Sequence, residues 1–313
     1  MDLIDTHVVL RAQPDYARPG LDAAVDALLD AQLGGRNLRG SRVLVKPNLL
    51  TAVRERPVCT DARLLLAVTD WLQARGARVR VGDSPSFGSA RSVLRAIGAL
   101  AELCRRGVEV VEFRRGRRVV LPCGLEVGIA EAALDCDLLV NLPKVKAHGQ
   151  MRVTLAIKNY FGCVAGFRKP WYHMVHGGGG GVEFARLLVE LLTMLPPGCT
   201  LADGIEAMHE SGPIHGVAYP LGLLAGGINP VAVETALLAV LGVDPRQSPL
   251  WLAAERAGYA GTRVQELIFS GPTPGELAVR DFRVPGELSP VRFRPLRFVG
   301  SSLRRVLLRL RGR

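Results

Sequence analysis

The sequence predicts an α/β fold, a mainly parallel or mixed sheet flanked by helices, with a β-hairpin excursion and a basic C-terminal tail. Three observations lead there. Apolar runs of strand length alternate with stretches of roughly 10 to 15 residues at helical periodicity, the order that builds a parallel sheet through crossover helices. Most of those runs end in Gly, Pro, Asp, Ser or Asn, residues that favour turns. One segment, Arg118 to Ile129, breaks the alternation and reads as a hairpin.

Each element has a local reason. Val8 to Leu10 is a short apolar run, and Leu21 to Leu33 repeats its apolar residues at helical spacing before stopping at Gly34-Gly35. Arg42 to Val45 is a strand that runs into Lys46-Pro47-Asn48. Thr60-Asp61 caps a helix that continues through Ala74 and closes at Gly76. Arg78 to Val81 is the next strand, ending in Gly82-Asp83-Ser84-Pro85-Ser86. A helix over Ala90 to Cys104 leads to the strand Val108 to Phe113. After the hairpin, Leu138 to Leu142 is a buried strand that ends at Pro143-Lys144. A helix over Glu183 to Leu195 and strands over Thr200 to Ala202 and Leu221 to Ala225 follow. Pro230 to Leu241 is a helix with proline in its first turn, and Val264 to Ser270 is a strand. The Gly177 to Gly181 run punctuates the middle as a linker or loop. Polar motifs lie on both sides of it, so residues 1–285 are expected to form a single α/β domain and 286–313 a tail.

Composition narrows the function classes. The formal charge is +11, with Arg105, Arg106, Arg114, Arg115, Arg117 and Arg118 in one cluster and eight arginines between Arg292 and Arg313. Such clusters suit an anionic lipid surface or an acidic partner. Sparse aromatics, not interleaved with the basic runs, argue against sequence-specific nucleic-acid binding. In the tail, Leu303, Val306, Leu307 and Leu310 fall at helical spacing among arginines, the pattern of a basic amphipathic helix that packs on the body of its own chain, lies on an anionic membrane or docks on a partner. Six cysteines are widely spaced, with no Cys-x-x-Cys pair, so no intrinsic iron–sulfur cluster is expected. No signal-peptide pattern and no run of 18 apolar residues occurs, so the expected location is cytoplasmic, in part peripheral to the membrane.

The chemistry is signalled by lysine. The chain has five, Lys46, Lys144, Lys146, Lys158 and Lys169, against 35 arginines. A compact ammonium with a tunable pKa does work that a planar guanidinium cannot. Polar clusters follow four predicted strands: Lys46-Pro47-Asn48, Gly82-Asp83-Ser84, Lys144-Val145-Lys146-Ala147-His148 and Asp203-Gly204-Ile205-Glu206. In open parallel sheets ligands bind beyond the carboxyl ends of strands, so these clusters are expected to converge on one rim. Lys144, Lys146 and His148 have a period of two and would share one side of an extended segment. Lys158-Asn159 adds an ammonium and an amide. The sequence therefore predicts a site for phosphate or carboxylate, with Lys46, Asn48, Asp83, Ser84, Lys158 and Asn159 binding the ligand. His148, Lys144 and Lys146 are the candidate catalytic residues, His148 as general acid or base. A divalent metal has candidate ligands in His173, His176, Asp203 and Glu206. There is no Walker A sequence.

These motifs resemble the family catalogued as domain of unknown function 362. The resemblance rests on Val-Lys-Pro-Asn (45–48), Gly-Asp-Ser-Pro (82–85), Asp-Leu-Leu-Val-Asn-Leu-Pro-Lys-Val-Lys-Ala-His (137–148) and Leu-Ala-Ile-Lys-Asn-Tyr-Phe-Gly (155–162). It continues through Ala-Asp-Gly-Ile-Glu-Ala-Met (202–208), Gly-Pro-Ile-His-Gly (212–216) and Asn-Pro-Val-Ala-Val-Glu (229–234). Lys46, Lys144, Lys146 and Lys158 stand on motif positions; Lys169 does not. The resemblance implies an α/β domain. Many members add ferredoxin-type iron–sulfur motifs, which this chain lacks, and Glu234 stands where the pattern usually shows Asp. A fainter likeness is to lactate racemases of the nickel-pincer type. The leading expectation is an enzyme for a small anionic substrate or cofactor. The alternatives are a metal- or cofactor-carrying accessory protein of a redox system and a scaffold docked to a membrane or partner through the tail.

Overall fold

The structure, a computed structural model, describes residues 3–52, 56–165 and 181–288. His173, His176, Lys169 and the arginine-rich stretch from 289 onward lie outside the described residues. Thirteen strands are found among those described. They are β1 (His7–Ala12), β2 (Arg42–Pro47), β3 (Arg78–Asp83), β4 (Glu109–Glu112), β5 (Gly116–Val120) and β6 (Glu126–Ala130). Then come β7 (Leu138–Leu142), β8 (Lys144–His148), β9 (Arg152–Thr154), β10 (Gly198–His209), β11 (Val217–Tyr219), β12 (Leu223–Gly227) and β13 (Ile268–Ser270).

The main sheet is mixed and runs in the order β13-β1-β12-β10-β7-β2-β3-β4. From β10 to β4 all neighbours are parallel, as crossover helices require, whereas β12 is antiparallel to both β1 and β10. β8 adds to the far half of β10 and pairs in turn with β9. The predicted excursion is a separate two-stranded antiparallel sheet, β5 with β6.

Burial on both faces explains the near-continuous apolar runs of the parallel strands. Val43 and Val45 of β2 and Val140 of β7 pack with the helices Gly20–Leu33 and Ala62–Ala74 on one face. Leu44 and Leu139 point to the other, where Val182–Leu191 and Pro249–Arg256 lie with β5 and β6. Around Pro230–Val240 a third apolar group covers β1 and β12. By the same alternation Lys46 shares Leu44's side and Asn141 shares Leu139's, which brings both beneath the segment 156–163.

Several elements depart from the periodicity-based expectation. The helix expected over 90–104 is two, Ala90–Ala96 and Leu100–Arg105, because Gly98 adopts φ +83 and the Ala99 amide turns back to the Leu94 carbonyl at 2.9 Å. The strand expected at 200–202 extends over Gly198–His209, since four other strands give it partners along its length. Lys144 to His148 is extended, as its period of two implies, and forms a strand of its own. Of the 264–270 run only Ile268–Ser270 is extended, after a 3-10 turn at Val264–Glu266.

Candidate functional site

The carboxyl ends of β2 and β3, Lys146 and His148 of β8 and the segment 158–162 surround one cavity of about 510 Å³. Lys46 and Asp83 enter from adjacent parallel strands and form an ion pair at 2.9 Å, with both side chains buried. Asp83 is further held by the amides of Leu49 (2.8 Å) and Ser84 (2.7 Å), so the loops after β2 and β3 are tied to one carboxylate. Lys46 also donates to the Pro47 carbonyl and to Asn159 Oδ1 (3.3 Å). Gly162 lies flat on this pair: a Cβ there would come within 2.1 Å of Asp83 Oδ1 and 2.3 Å of Lys46 Nζ. The glycine of Asn-Tyr-Phe-Gly is thus required by close approach.

An amide relay joins the strands to the segment that covers them. Asn48 Nδ2 donates to Asn159 Oδ1 (2.9 Å), and Asn159 Nδ2 donates to Asn141 Oδ1 (2.7 Å). Asn141 Nδ2 donates in turn to the Ala156 carbonyl and Thr200 Oγ1. Asn159 is carried by the one-turn helix Ala156–Asn159, whose first amides are met by Glu234. The Ile157 amide donates to Glu234 Oε2 at 2.9 Å, while Oε1 has no hydrogen-bond partner among the described residues. Burial pushes the Glu234 carboxyl up from 4.5 to about 7, against the backbone bonds that lower it. For a carboxyl raised on folding, the stability it contributes is present below about 4.5 and lost as pH rises through about 7. Glu234→Gln is therefore expected to flatten the decline in stability between those values, read from urea midpoints across pH.

Lys146 has a different environment. Its side chain is 1 % exposed, and Nζ donates to Asn48 Oδ1 at 2.6 Å and to the Val58 carbonyl at 2.7 Å. Both acceptors are neutral; among the described residues no carboxylate is within ion-pair distance. Burial first, then the neighbouring Lys144 and Lys46 charges, pull its pKa down to about 8, against the nearby Cys59 and Asp83 groups that raise it. Two residues further along β8, His148 Nδ1 accepts from the amides of Gln150 (3.1 Å) and Met151 (3.3 Å). That fixes the neutral ring as the Nε2–H tautomer, a donor. Lys158, half-buried, and Ser84 complete the polar wall.

The structure brings together Lys46, Asn48, Asp83, Ser84, Lys146, His148, Lys158 and Asn159 of the sequence-derived set. Lys144 does not line the cavity. Its ammonium bonds Asp203 Oδ2 (3.0 Å) and Tyr16 Oη (2.8 Å), Tyr16 donates to Asp203 Oδ1 (2.6 Å), and the Asp61 amide donates to Asp203 Oδ2 (2.9 Å). Burial first, then the Asp203 charge, raises the Tyr16 hydroxyl's pKa and keeps it protonated. The Lys144 charge is neutralised by Asp203 in the core, apart from the cavity. The same network engages both oxygens of Asp203, and Glu206 is exposed. Among the described residues no three His, Cys, Asp or Glu side chains gather as a metal group. Asn141, Val58 and Gly162 complete the site and were not singled out from sequence. Asn141 stands inside the apolar run Leu138 to Leu142, where a buried amide was the available signal.

Comparison with known proteins adds three findings. The model of the family described as Domain of unknown function (DUF362) matches residues 43–239. A protein of Synechocystis sp. named thylakoid-associated is 36% identical over 305 residues, covering 96% of this chain and 94% of its own. Of solved structures, the lactate racemase apoprotein from Thermoanaerobacterium thermosaccharolyticum is similar at TM-score 0.47 and 14% identity, over 77% of this chain and 58% of that one. A Thermotoga maritima protein gives TM-score 0.46 and 10% identity, over 66% of this chain and 55% of its own. The chain thus spans under two thirds of either solved structure.

Proposed function

This chain belongs to the DUF362 family, and from that premise we propose that its cavity binds a small organic anion, bearing phosphate or carboxylate, as the substrate or cofactor of an enzyme. Lys146 carries the reading. A buried ammonium without a carboxylate partner is costly, and an anion in the cavity would supply the missing charge. Lys46 is already neutralised by Asp83, so its role is to hold the loops and Asn159 in place. His148 Nε2–H would donate to the anion or to a reacting oxygen. With a pKa of about 8, Lys146 can hold or release a proton near neutrality, the property asked of an acid–base group.

The test is thermal unfolding at fixed ionic strength with inorganic phosphate and with acetate. The expected result is a concentration-dependent rise in Tm that sodium chloride does not reproduce and that Lys146→Met removes. A rise that survives Lys146→Met would sink the reading.

A second reading concerns the tail. One relative is named thylakoid-associated, and this chain carries an arginine-rich amphipathic pattern over 303–313. Among the described residues no helix is long and apolar enough to cross a membrane. We propose that residues 286–313 form a tail that lies on an anionic lipid surface. In flotation with phosphatidylglycerol vesicles, the full chain should float and a chain ending at 302 should not. Equal flotation of both would exclude the tail as the anchor.

A further inference from the structure

The cavity has a polar floor and a mouth that is apolar in part, with Ser84, Ser86, Gln150 and Lys158 also on its wall. Lys46 and Lys146, both almost fully buried, are at its base, while Phe87, Leu50, Pro213 and Ile214 also line it and reach solvent. Phe87 is 52 % exposed, an unusual position for a phenyl ring on a turn of otherwise small and polar residues.

Backbone contacts hold both sides of this mouth. The Phe87 amide donates to the Leu50 carbonyl at 3.2 Å, which fixes the turn after β3 against the segment after β2. Opposite, the Gly149 amide donates to the Gly212 carbonyl at 3.2 Å, and Gly212 packs so closely on β8 that a Cβ would come within 1.8 Å of the Ala147 carbonyl oxygen. That contact pins Pro213 and Ile214 beside His148. The apolar rim is therefore part of the fold. An inorganic anion needs only the floor, and the volume is that of a site for a whole organic ligand.

Resting on the anion-site reading, we propose that the natural ligand is amphipathic, with an anionic head on Lys146 and His148 and an apolar acyl, alkyl or aryl portion between Phe87 and Ile214. The apolar part leaves water as it enters the mouth, so affinity grows with chain length. The head group's contribution stays constant along a homologous series.

Calorimetric titration of the full chain with two series tests this, acetate to octanoate and methyl to octyl phosphate, each below its micellar concentration. The expected result is a rise of up to about 4-fold in affinity per added methylene in at least one series, levelling once the rim is covered. Phe87→Ser and Ile214→Ser, both at solvent-reaching positions, should lower octyl-chain affinity several-fold and leave the one- and two-carbon ligands unchanged. Lys146→Met should weaken every member equally. If short anions bind in a Lys146-dependent way but both series are flat, the amphipathic inference falls and the anion site stands. The inference also falls if chain length matters but neither rim substitution alters it. If no member binds, or binding ignores Lys146→Met, the anion site falls with it.

Discussion

Asp203→Ala is expected to lower folding stability by about 3–5 kcal/mol, measured as a shift in urea midpoint at unchanged m. The carboxylate is wholly buried and accepts from Tyr16, Lys144 and the Asp61 amide. Removing it leaves the Lys144 ammonium buried with no counter-charge and orphans the other two donors. Most of the loss is the residual charge, which the paired variant Lys144→Met with Asp203→Leu would check: it should recover a large part of the stability. A single-variant loss below about 1 kcal/mol would mean that water reaches Lys144, contrary to its burial. Because the cluster lies outside the cavity, anion-dependent stabilisation should persist in the paired variant.

Lys146→Met has the opposite profile: a small effect on the empty protein and a large one on binding. In the empty protein the substitution relieves a buried charge but strips Asn48 Oδ1 and the Val58 carbonyl of a donor, opposing effects of about 1–3 kcal/mol each. On the anion it removes a charge-assisted hydrogen bond, expected to cost roughly 10- to 150-fold in affinity. The pH dependence supplies a second check. A base whose pKa is depressed on folding contributes stability that is present above its unfolded value, 10.5, and lost as pH falls through about 8. The ligand-free wild type should gain stability between those pH values and Lys146→Met should not. Anion affinity should run the other way, falling above about pH 8 as the ammonium deprotonates. An affinity independent of pH from 7 to 10 would rule Lys146 out as the charge that holds the anion.

How these sites were readable from sequence depends on what each residue's partner is. Lys46, Asn48 and Asp83 end parallel strands, and the rule that ligands gather beyond carboxyl ends put them together without knowledge of contacts. Lys146 and His148 followed from a period of two. Lys144 obeys the same period and stands in the same motif, yet its role was set by Tyr16 and Asp203, 128 and 59 residues away. No local pattern separates a lysine that meets a carboxylate from one that meets an amide. The helix expected over Ala90 to Cys104 spans Gly98, whose positive φ divides it into two. Phe87 and Ile214 gave no periodic signal, since their meaning lies in lining one cavity from the turns after β3 and β10.

The order of strands in the sheet has a consequence for the chain as it is made. Among the described residues β1 pairs with β12 and β13, both of which are made long after it. From His7 to Leu223 synthesis takes roughly 10 to 40 s, and throughout that time β1 has neither neighbour. β2, β3 and β4 can assemble early, but the edge of β2 stays open until β7 emerges. Tyr16, just beyond β1, likewise waits for Lys144 and Asp203. The nascent chain therefore carries an apolar strand until β12 is made and an open β2 edge until β7 is made, two features that recruit chaperones or invite mispairing. Overexpression yield should depend on translation rate and chaperone supply more steeply than the stability of the finished protein would suggest.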